Sequence, residues 1–335
     1  MVAISVLDLV PVRQGQEPGD ALRASIDLAR HAESLGYTRY WVAEHHNMVG
    51  IASAATAVVI GQLAAATKTI RVGAGGIMLP NHAPLIIAEQ FGTLEALFPG
   101  RIDLGLGRAP GTDQMTMRAM RRSPMSSDSF PQDVLELQAY FAPAGPNQAI
   151  QAVPGAGLNV PLWILGSSLF GSQLAAQLGL PYAFASHFAP DALMQALAIY
   201  RERFEPSEQL ARPYAMPGIN VIAAETDAEA RHLATSLQQR FVGMVRGQRG
   251  KLQPPIDDIE TYWSPAEKAH VAGMLRYAFI GSAETLKRQL GAFIAATQAD
   301  EIMVTAPIFD HEARKRSYEI LAGIAPDLGI AARAA

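Results

Sequence analysis

The sequence predicts an α/β fold, a single (β/α)8 barrel. Short runs of branched apolar residues alternate with longer stretches of helical period, the alternation persists almost from end to end, and the count reaches eight strands, each followed by a helix. Ile4 to Leu9 reads as the first strand, and Asp20 to Leu35 as a helix with Leu22, Ile26 and Ala29 on one face and Gly36 at its C-terminal turn. Tyr40 to Ala43 is the second strand and the alanine-rich Ser53–Ala66 its helix. Ile70 to Ala74 is the third, followed by a helix from Pro84 to Leu97 that opens on a proline, a favoured first-turn residue. Ile102 to Leu106 is the fourth, followed by a helical region from Phe130 to Phe141.

The stretch from Pro143 to Gly157 is rich in proline and glycine but reads as a long loop rather than a linker, because the same rhythm resumes beyond it. Leu162–Leu165, Tyr182–Ala185 and Ile219–Ala223 are strands five to seven, with helices over Ser168–Gln177, Asp191–Phe204 and Asp227–Phe241. Glu301–Val304 is the eighth strand, with a last helix through Ser317 and Leu321. One segment breaks the rhythm: Gly243 to Ile280, with Gln253-Pro254-Pro255 and Tyr262-Trp263-Ser264-Pro265, reads as an insertion, either a mobile lid or an inert one. The lid is the favoured reading. The expectation is one domain over residues 1–335 carrying this insertion at 243–280.

Composition narrows the function. Hydrophobic residues make up 49% of the 335 and charged ones 17%, which suits a large buried core. With a net charge of −4 and basic residues scattered apart from Arg118, Arg121 and Arg122, no nucleic-acid-binding face is expected. There are no cysteines, so disulfides, thiolate metal sites and cysteine nucleophiles are excluded. The first residues meet Asp8 too early for a signal peptide, and no apolar run approaches the roughly 20 residues that cross a bilayer, so a cytoplasmic protein with no membrane contact is expected.

In a barrel of this kind the chemistry gathers at the carboxyl ends of the strands. Those ends carry Asp8, then Glu44-His45-His46, Gly75-Gly76, Arg108, Gly166-Ser167-Ser168 and His187. Ser167 and Ser168 open a helix, where hydroxyls and free N–H groups either cap the helix or hold an anion. Arg108 is the natural counter-charge to a phosphate, or else a rim ion-pair partner. Gly75-Gly76 lets backbone approach a planar ligand, accommodates a non-proline cis peptide, or is a plain flexible turn. No residue set asks for a metal.

These residues bring a family into view. Trp41-Val42-Ala43-Glu44-His45-His46, the run from Gly75 through Asn81-His82 to Pro84, Ala88-Glu89-Gln90 and the run from Pro99 to Arg108 resemble the bacterial luciferase-like flavin monooxygenases over nearly the whole chain. Leu165-Gly166-Ser167-Ser168 and Phe184-Ala185-Ser186-His187-Phe188 resemble an uncharacterised bacterial branch of them. The resemblance implies a barrel that binds FMN at its mouth, in reduced form from a separate NAD(P)H:flavin reductase, and a homodimer packed through barrel helices. It implies that His45 is the catalytic histidine, that Gly75-Gly76 is the pair forming a cis peptide beneath the flavin, and that Arg108 and Ser167 hold the phosphate; Ser168, and with it Gly166, is supported by position. In the light-emitting relative a cysteine stands where this chain has Gly107 and a glutamate where it has Gly166, which puts light emission and long-chain aldehyde specificity in doubt.

The expected activity is oxygenation of a small organic substrate by reduced FMN and O2 through a flavin hydroperoxide. His45 would act as general acid or base with a pKa near neutrality, His46 would orient it, and Glu44 would hold its tautomer or serve a structural partner. Asp8, His82 and His187 are weaker candidates on the substrate side, and Trp263 with Tyr262 would cover the pocket or pack on the rim. Two alternatives stand beside this reading: hydride transfer with the deazaflavin F420, and flavin binding without catalysis.

Overall fold

The computed structural model describes residues 2–330. The strands are β1 (Ala3–Asp8), β2 (Arg39–Val42), β3 (Arg71–Met78), β4 (Ile102–Gly107), β5 (Leu162–Gly166), β6 (Tyr182–Phe184), β7 (Ala215–Ala223), β8 (Ala278–Gly281) and β9 (Glu301–Thr305). The helices are α1 (Pro18–Ser34), α2 (Thr56–Ala66), α3 (Pro84–Leu97), α4 (Gln114–Ala119), α5 (Phe130–Phe141), α6 (Leu169–Gln177), α7 (Leu193–Glu202), α8 (Asp227–Val245), α9 (Pro265–Met274), α10 (Ala283–Thr297) and α11 (His311–Ile324). Every pairing among these strands is parallel. β1 to β7 pair in sequence order, and β9 closes the ring by pairing with both β7 and β1, so the fold is the expected eight-stranded barrel with helices outside.

The alternation of side chains along each strand divides the core in two. Ile4 and Val6, Tyr40 and Val42, Val72 and Ala74, Leu104 and Leu106 face the helices and join the main apolar cluster. Leu7, Trp41, Trp163, Met216 and Met303 form a second cluster inside the ring. Trp41 and Trp163 meet edge to face at 5.1 Å, and the missing side chains of Gly73 and Gly105 make room for their layer: a Cβ on Gly73 would lie 2.9 Å from Trp41 Nε1, and one on Gly105 2.2 Å from the Ala74 carbonyl. Below the tryptophans Asp103 accepts from Arg39 (2.8 Å), Arg71 (2.6 Å) and Trp41 Nε1 (3.1 Å), while Glu301 accepts from Arg39, Tyr214 and Ser5. These buried charges are paired on all sides, the condition under which burial is tolerated. They plug the amino end of the barrel and leave the carboxyl end as its mouth.

The segment read as an insertion departs from expectation. Residues 243–280 hold the last turn of α8, all of α9 with a capping box between Ser264 and Glu267, and most of β8, and α10 follows. β8 pairs with the outer half of β7 (Asn220↔Ala278 to Ala223↔Gly281), beyond the part of β7 that pairs with β6, so it is a ninth strand outside the closed ring. Residues 250–252 still pack on the first two strand–helix loops. Leu252 exchanges backbone hydrogen bonds with Val12 and Gln14 in the first strand–helix loop, and the Gly250 carbonyl sits 2.2 Å from where a Cβ on Gly50 would be.

Candidate functional site

Glu44, His45 and His46 follow β2 in extended chain, so neighbouring side chains turn to opposite sides. Glu44 and His46 turn together. The buried Glu44 carboxylate accepts from His46 Nε2 (2.7 Å), His82 Nε2 (2.9 Å), Asn81 Nδ2 (3.1 Å) and the Met78 N–H (2.9 Å). Burial alone would push its pKa up, but hydrogen bonds from His46 and His82, the charge of His82 and a hydrogen bond from Asn81 bring it down to about 2. The same contact raises the His46 pKa. Glu44 therefore clamps the second and third strand–helix loops together; of the two roles expected of it, the structural one is seen, and it makes no hydrogen bond to His45.

His45 turns to the other side, toward the Gly111 backbone. Its Nδ1 is buried and has no partner among the described residues. Burial, then the positive charge of Arg240, lowers its pKa to about 4 against the opposing effects of the Gly111 backbone and Glu44. The expected value near neutrality is not reached, and the ring is neutral at pH 7. His187, after β6, shares this condition: buried Nδ1 without a partner, pKa lowered to about 3 by burial, Arg240 and His45. Its ring occupies space vacated by Gly218 of β7, where a Cβ would lie 2.7 Å from Nδ1, and Asn220 holds its carbonyl at 2.6 Å.

The phosphate candidates converge across two strands. From the end of β4 the exposed Arg108 reaches over Phe170 in the first turn of α6, its guanidinium carbon 4.0 Å from the ring centroid. Ser168 occupies the N-cap of α6 without making a side-chain cap hydrogen bond, so the alternative of simple capping is not realised there. The Ser167 and Ser168 hydroxyls and the Arg108 guanidinium have no hydrogen-bond partner among the described residues. Gly166 packs against Gly171, where its Cβ would lie 3.4 Å from the Gly171 Cα.

Gly75-Gly76 is a cis peptide. A side chain at Gly76 would meet the Gly105 carbonyl at 2.7 Å, so packing against backbone demands glycine there, while one at Gly75 would press on the Leu7 and Trp41 side chains at 3.0 Å, a tight fit that a small shift would relieve.

Two weaker candidates have other engagements. Asp8 is buried and accepts from Arg314 (2.8 Å), Tyr40 (2.5 Å) and the Val10 N–H (2.8 Å), with no surface open to a ligand. Trp263 bonds to Glu260 and lies under Lys268, while Tyr262 lies under Arg246 at the end of α8; it is residues 250–252 that cover the loops at the mouth. Arg240, in the middle of α8, was not singled out from the sequence. It flanks a stripe of buried residues (Ala230, Ala234, Leu237, Phe241), and a lone basic residue beside such a stripe is the signal that could have found it. Among the described residues one trio has metal-ligand spacing, Asp27, His311 and Glu312 on α1 and α11, but Asp27 already pairs with Lys315 at 3.3 Å.

A closed parallel barrel with a charge-paired floor, two histidines whose Nδ1 atoms lack a partner among the described residues, and the Arg108 guanidinium over Phe170 at its carboxyl end define an α/β-barrel protein. The sequence profile described as luciferase-like monooxygenase matches residues 2–301, and the chain belongs to that family. It is 54% identical to a luciferase-like monooxygenase of Escherichia coli (strain K12) over 329 residues, 98% of each chain. Among solved structures apo-MsnO8 superposes with a TM-score of 0.90 at 36% identity, covering 98% of this chain and 99% of that one. The fold alone is shared with the oxygenating constituent of 3,6-diketocamphane monooxygenase of Pseudomonas putida in complex with FMN (TM-score 0.73, 17% identity, 96% of each chain). It is likewise shared with an F420-dependent secondary alcohol dehydrogenase (TM-score 0.71, 16% identity, 98% of this chain and 99% of that one). No helix among the described residues is long and apolar enough to cross a membrane.

Proposed function

We propose that this protein is a flavin-dependent monooxygenase that uses reduced FMN and O2 to oxygenate a small organic substrate. The observation that carries this reading is the meeting of Arg108 with the N-terminus of α6, where Ser168 leaves its capping role unfilled. A phosphate there gains a guanidinium, two hydroxyls and the free N–H groups of the first helical turn. The donor set fits FMN at this end, and Gly75-Gly76 of β3, packed between β2 and β4, is the segment its ring would lie against.

Bound reduced FMN supplies two electrons, so that one atom of O2 enters the substrate and the other leaves as water. The remaining work belongs to the chain. Arg108, Ser167 and Ser168 fix the phosphate. His45, neutral at pH 7, presents Nδ1 as the atom that takes or returns a proton at the reacting centre. Glu44, through His46, His82 and Asn81, holds the loop that carries His45. Residues 250–252 lie over the first two loops and limit water entry, which would otherwise waste reducing equivalents as hydrogen peroxide. A separate NAD(P)H:flavin reductase would deliver the reduced flavin. Exposed Val58 on α2 with Ile86 and Leu97 on α3 supply an apolar outer face for a homodimer.

The test is turnover with reduced FMN and 18O2 against a panel of metabolites, read by mass spectrometry. A product carrying one 18O atom is expected. Oxidation that proceeds without O2 when F420 is supplied would replace this reading with hydride transfer, and FMN binding without any turnover would replace it with a binding role.

A further inference from the structure

We propose that Arg240 is the anchor for a carboxylate on the oxidisable substrate, seated on the side of the mouth away from the flavin phosphate. The inference rests on the monooxygenase reading for the word substrate, though not for the existence of the anion site.

Arg240 is half-buried on α8. It makes no hydrogen bond or ion pair with the described residues. Its charge is felt at His45 after β2, at His187 after β6 and at Arg314 on α11. Burial and the charge of Arg314 lower its pKa to about 10, so it remains a cation at neutral pH.

A guanidinium in such surroundings needs a counter-ion. The buried acids at this end are already committed: Asp8 to Arg314 and Tyr40, and Glu44 to His46, His82 and Asn81. Around Arg240 other polar groups also await partners. Ser236, one turn earlier on the same face of α8, has a fully buried hydroxyl with none, and Nδ1 of both His45 and His187 is in the same state. Buried polar atoms are generally paired, and three that lack partners lie on Arg240's own helix or at residues that feel its charge, where an external ligand would supply them.

The charge balance selects its class. A phosphate already has Arg108 and the N-terminus of α6 on the β4–β5 side, whereas Arg240 comes from the helix after β7. A single planar guanidinium with one hydroxyl nearby matches a single carboxylate, which it can grip through two parallel N–H bonds. Occupancy would also offset Arg240's share of the positive field acting on His45, to which Arg249 contributes a smaller part, making the imidazole a better proton acceptor once substrate is seated.

The experiment uses the full chain with propionate as probe and propionamide as its neutral counterpart, at constant ionic strength and pH 7.5. Binding is read from the ring resonances of isotope-labelled His45 and His187, and FMN affinity is measured in parallel by fluorescence quenching. Propionate is expected to shift both rings saturably in the native protein, propionamide not to, R240Q to weaken the response at least tenfold, and R240K to retain part of it. FMN affinity in R240Q should stay within about threefold of native. Absence of a propionate response in the native protein, an equal response in R240Q or, should that variant not fold, an undiminished response to propionamide would overturn the proposal. So would a tenfold loss of FMN affinity in R240Q or R240K, since Arg240 would then belong to the flavin. If propionate binds as expected but FMN does not bind the native protein, the flavin reading fails and the anion site stands.

Discussion

Replacing Arg108 with alanine probes the phosphate end of the mouth with little interference from folding. The side chain makes no hydrogen bond within the described residues and stacks over Phe170 at 4.0 Å. An exposed cation–π contact is worth about 0.5–1 kcal/mol, so the melting temperature should fall by no more than a few degrees. A charge-assisted hydrogen bond to phosphate is worth roughly 1.5–3 kcal/mol, which converts to a loss of FMN affinity of roughly 10- to 150-fold. Fluorescence titration with FMN and with riboflavin separates the phosphate from the ring: FMN should weaken by that factor and riboflavin, which lacks the phosphate, should bind native and variant proteins alike. FMN affinity unchanged within twofold, or an equal loss for riboflavin, would refute the assignment.

Three further outcomes follow from the geometry. His45→Gln should leave FMN affinity near native and lower product formed per reduced flavin by roughly 100-fold or more, with hydrogen peroxide rising in step; oxygen electrode and product assays together check this, and coupled native turnover would remove the proton-transfer role. Glu44→Gln should cost about 3 kcal/mol, the equivalent of the carboxyl pKa falling from 4.5 to about 2. Glu44's contribution is complete above the unfolded carboxyl value and fades as pH falls toward about 2, whereas that of His46, whose pKa is raised, is complete below 6.5 and fades as pH rises past it. Denaturant unfolding of native and variant proteins should accordingly differ most between pH 4.5 and 6.5, and a gap that does not change with pH would contradict the clamp. Gly92→Ala on α3 would put a Cβ 2.2 Å from the Pro154 carbonyl, backbone that cannot yield cheaply, so a loss of about 1–3 kcal/mol is expected and unaltered stability would mean that the Pro143–Gly157 loop is not docked there.

The strand ends were legible because each lies where an apolar run of period two stops, and parallel barrels bring all such points to one rim. That logic is enough to put Glu44, His45, Arg108, Ser167 and His187 at the carboxyl ends of strands from the sequence. It did not foresee the division of labour between neighbours: alternation sends Glu44 to His46 and His82 and leaves His45 without a carboxylate partner. β8 escaped because it is four residues long, is only half buried, and pairs with a part of β7 that projects beyond the ring, so the count of eight was complete without it. α10 was passed over for the same reason, although Leu286, Leu290 and Phe293 carry a helical stripe. Asp8 illustrates a limit of another kind, since its partner Arg314 lies some three hundred positions away and only closure of the barrel joins them. Arg240 was hidden by its helix: period marks which face of α8 is buried but not that the flank of that face overlooks the mouth.

A crystal structure of the full chain with FMN tests the central claim most directly. The account predicts the phosphate between Arg108 and the N–H groups and hydroxyls of Ser167 and Ser168, the ring over Gly75-Gly76, and His45 Nδ1 turned toward it. A flavin bound with its phosphate elsewhere, or a ring out of reach of His45, would contradict it.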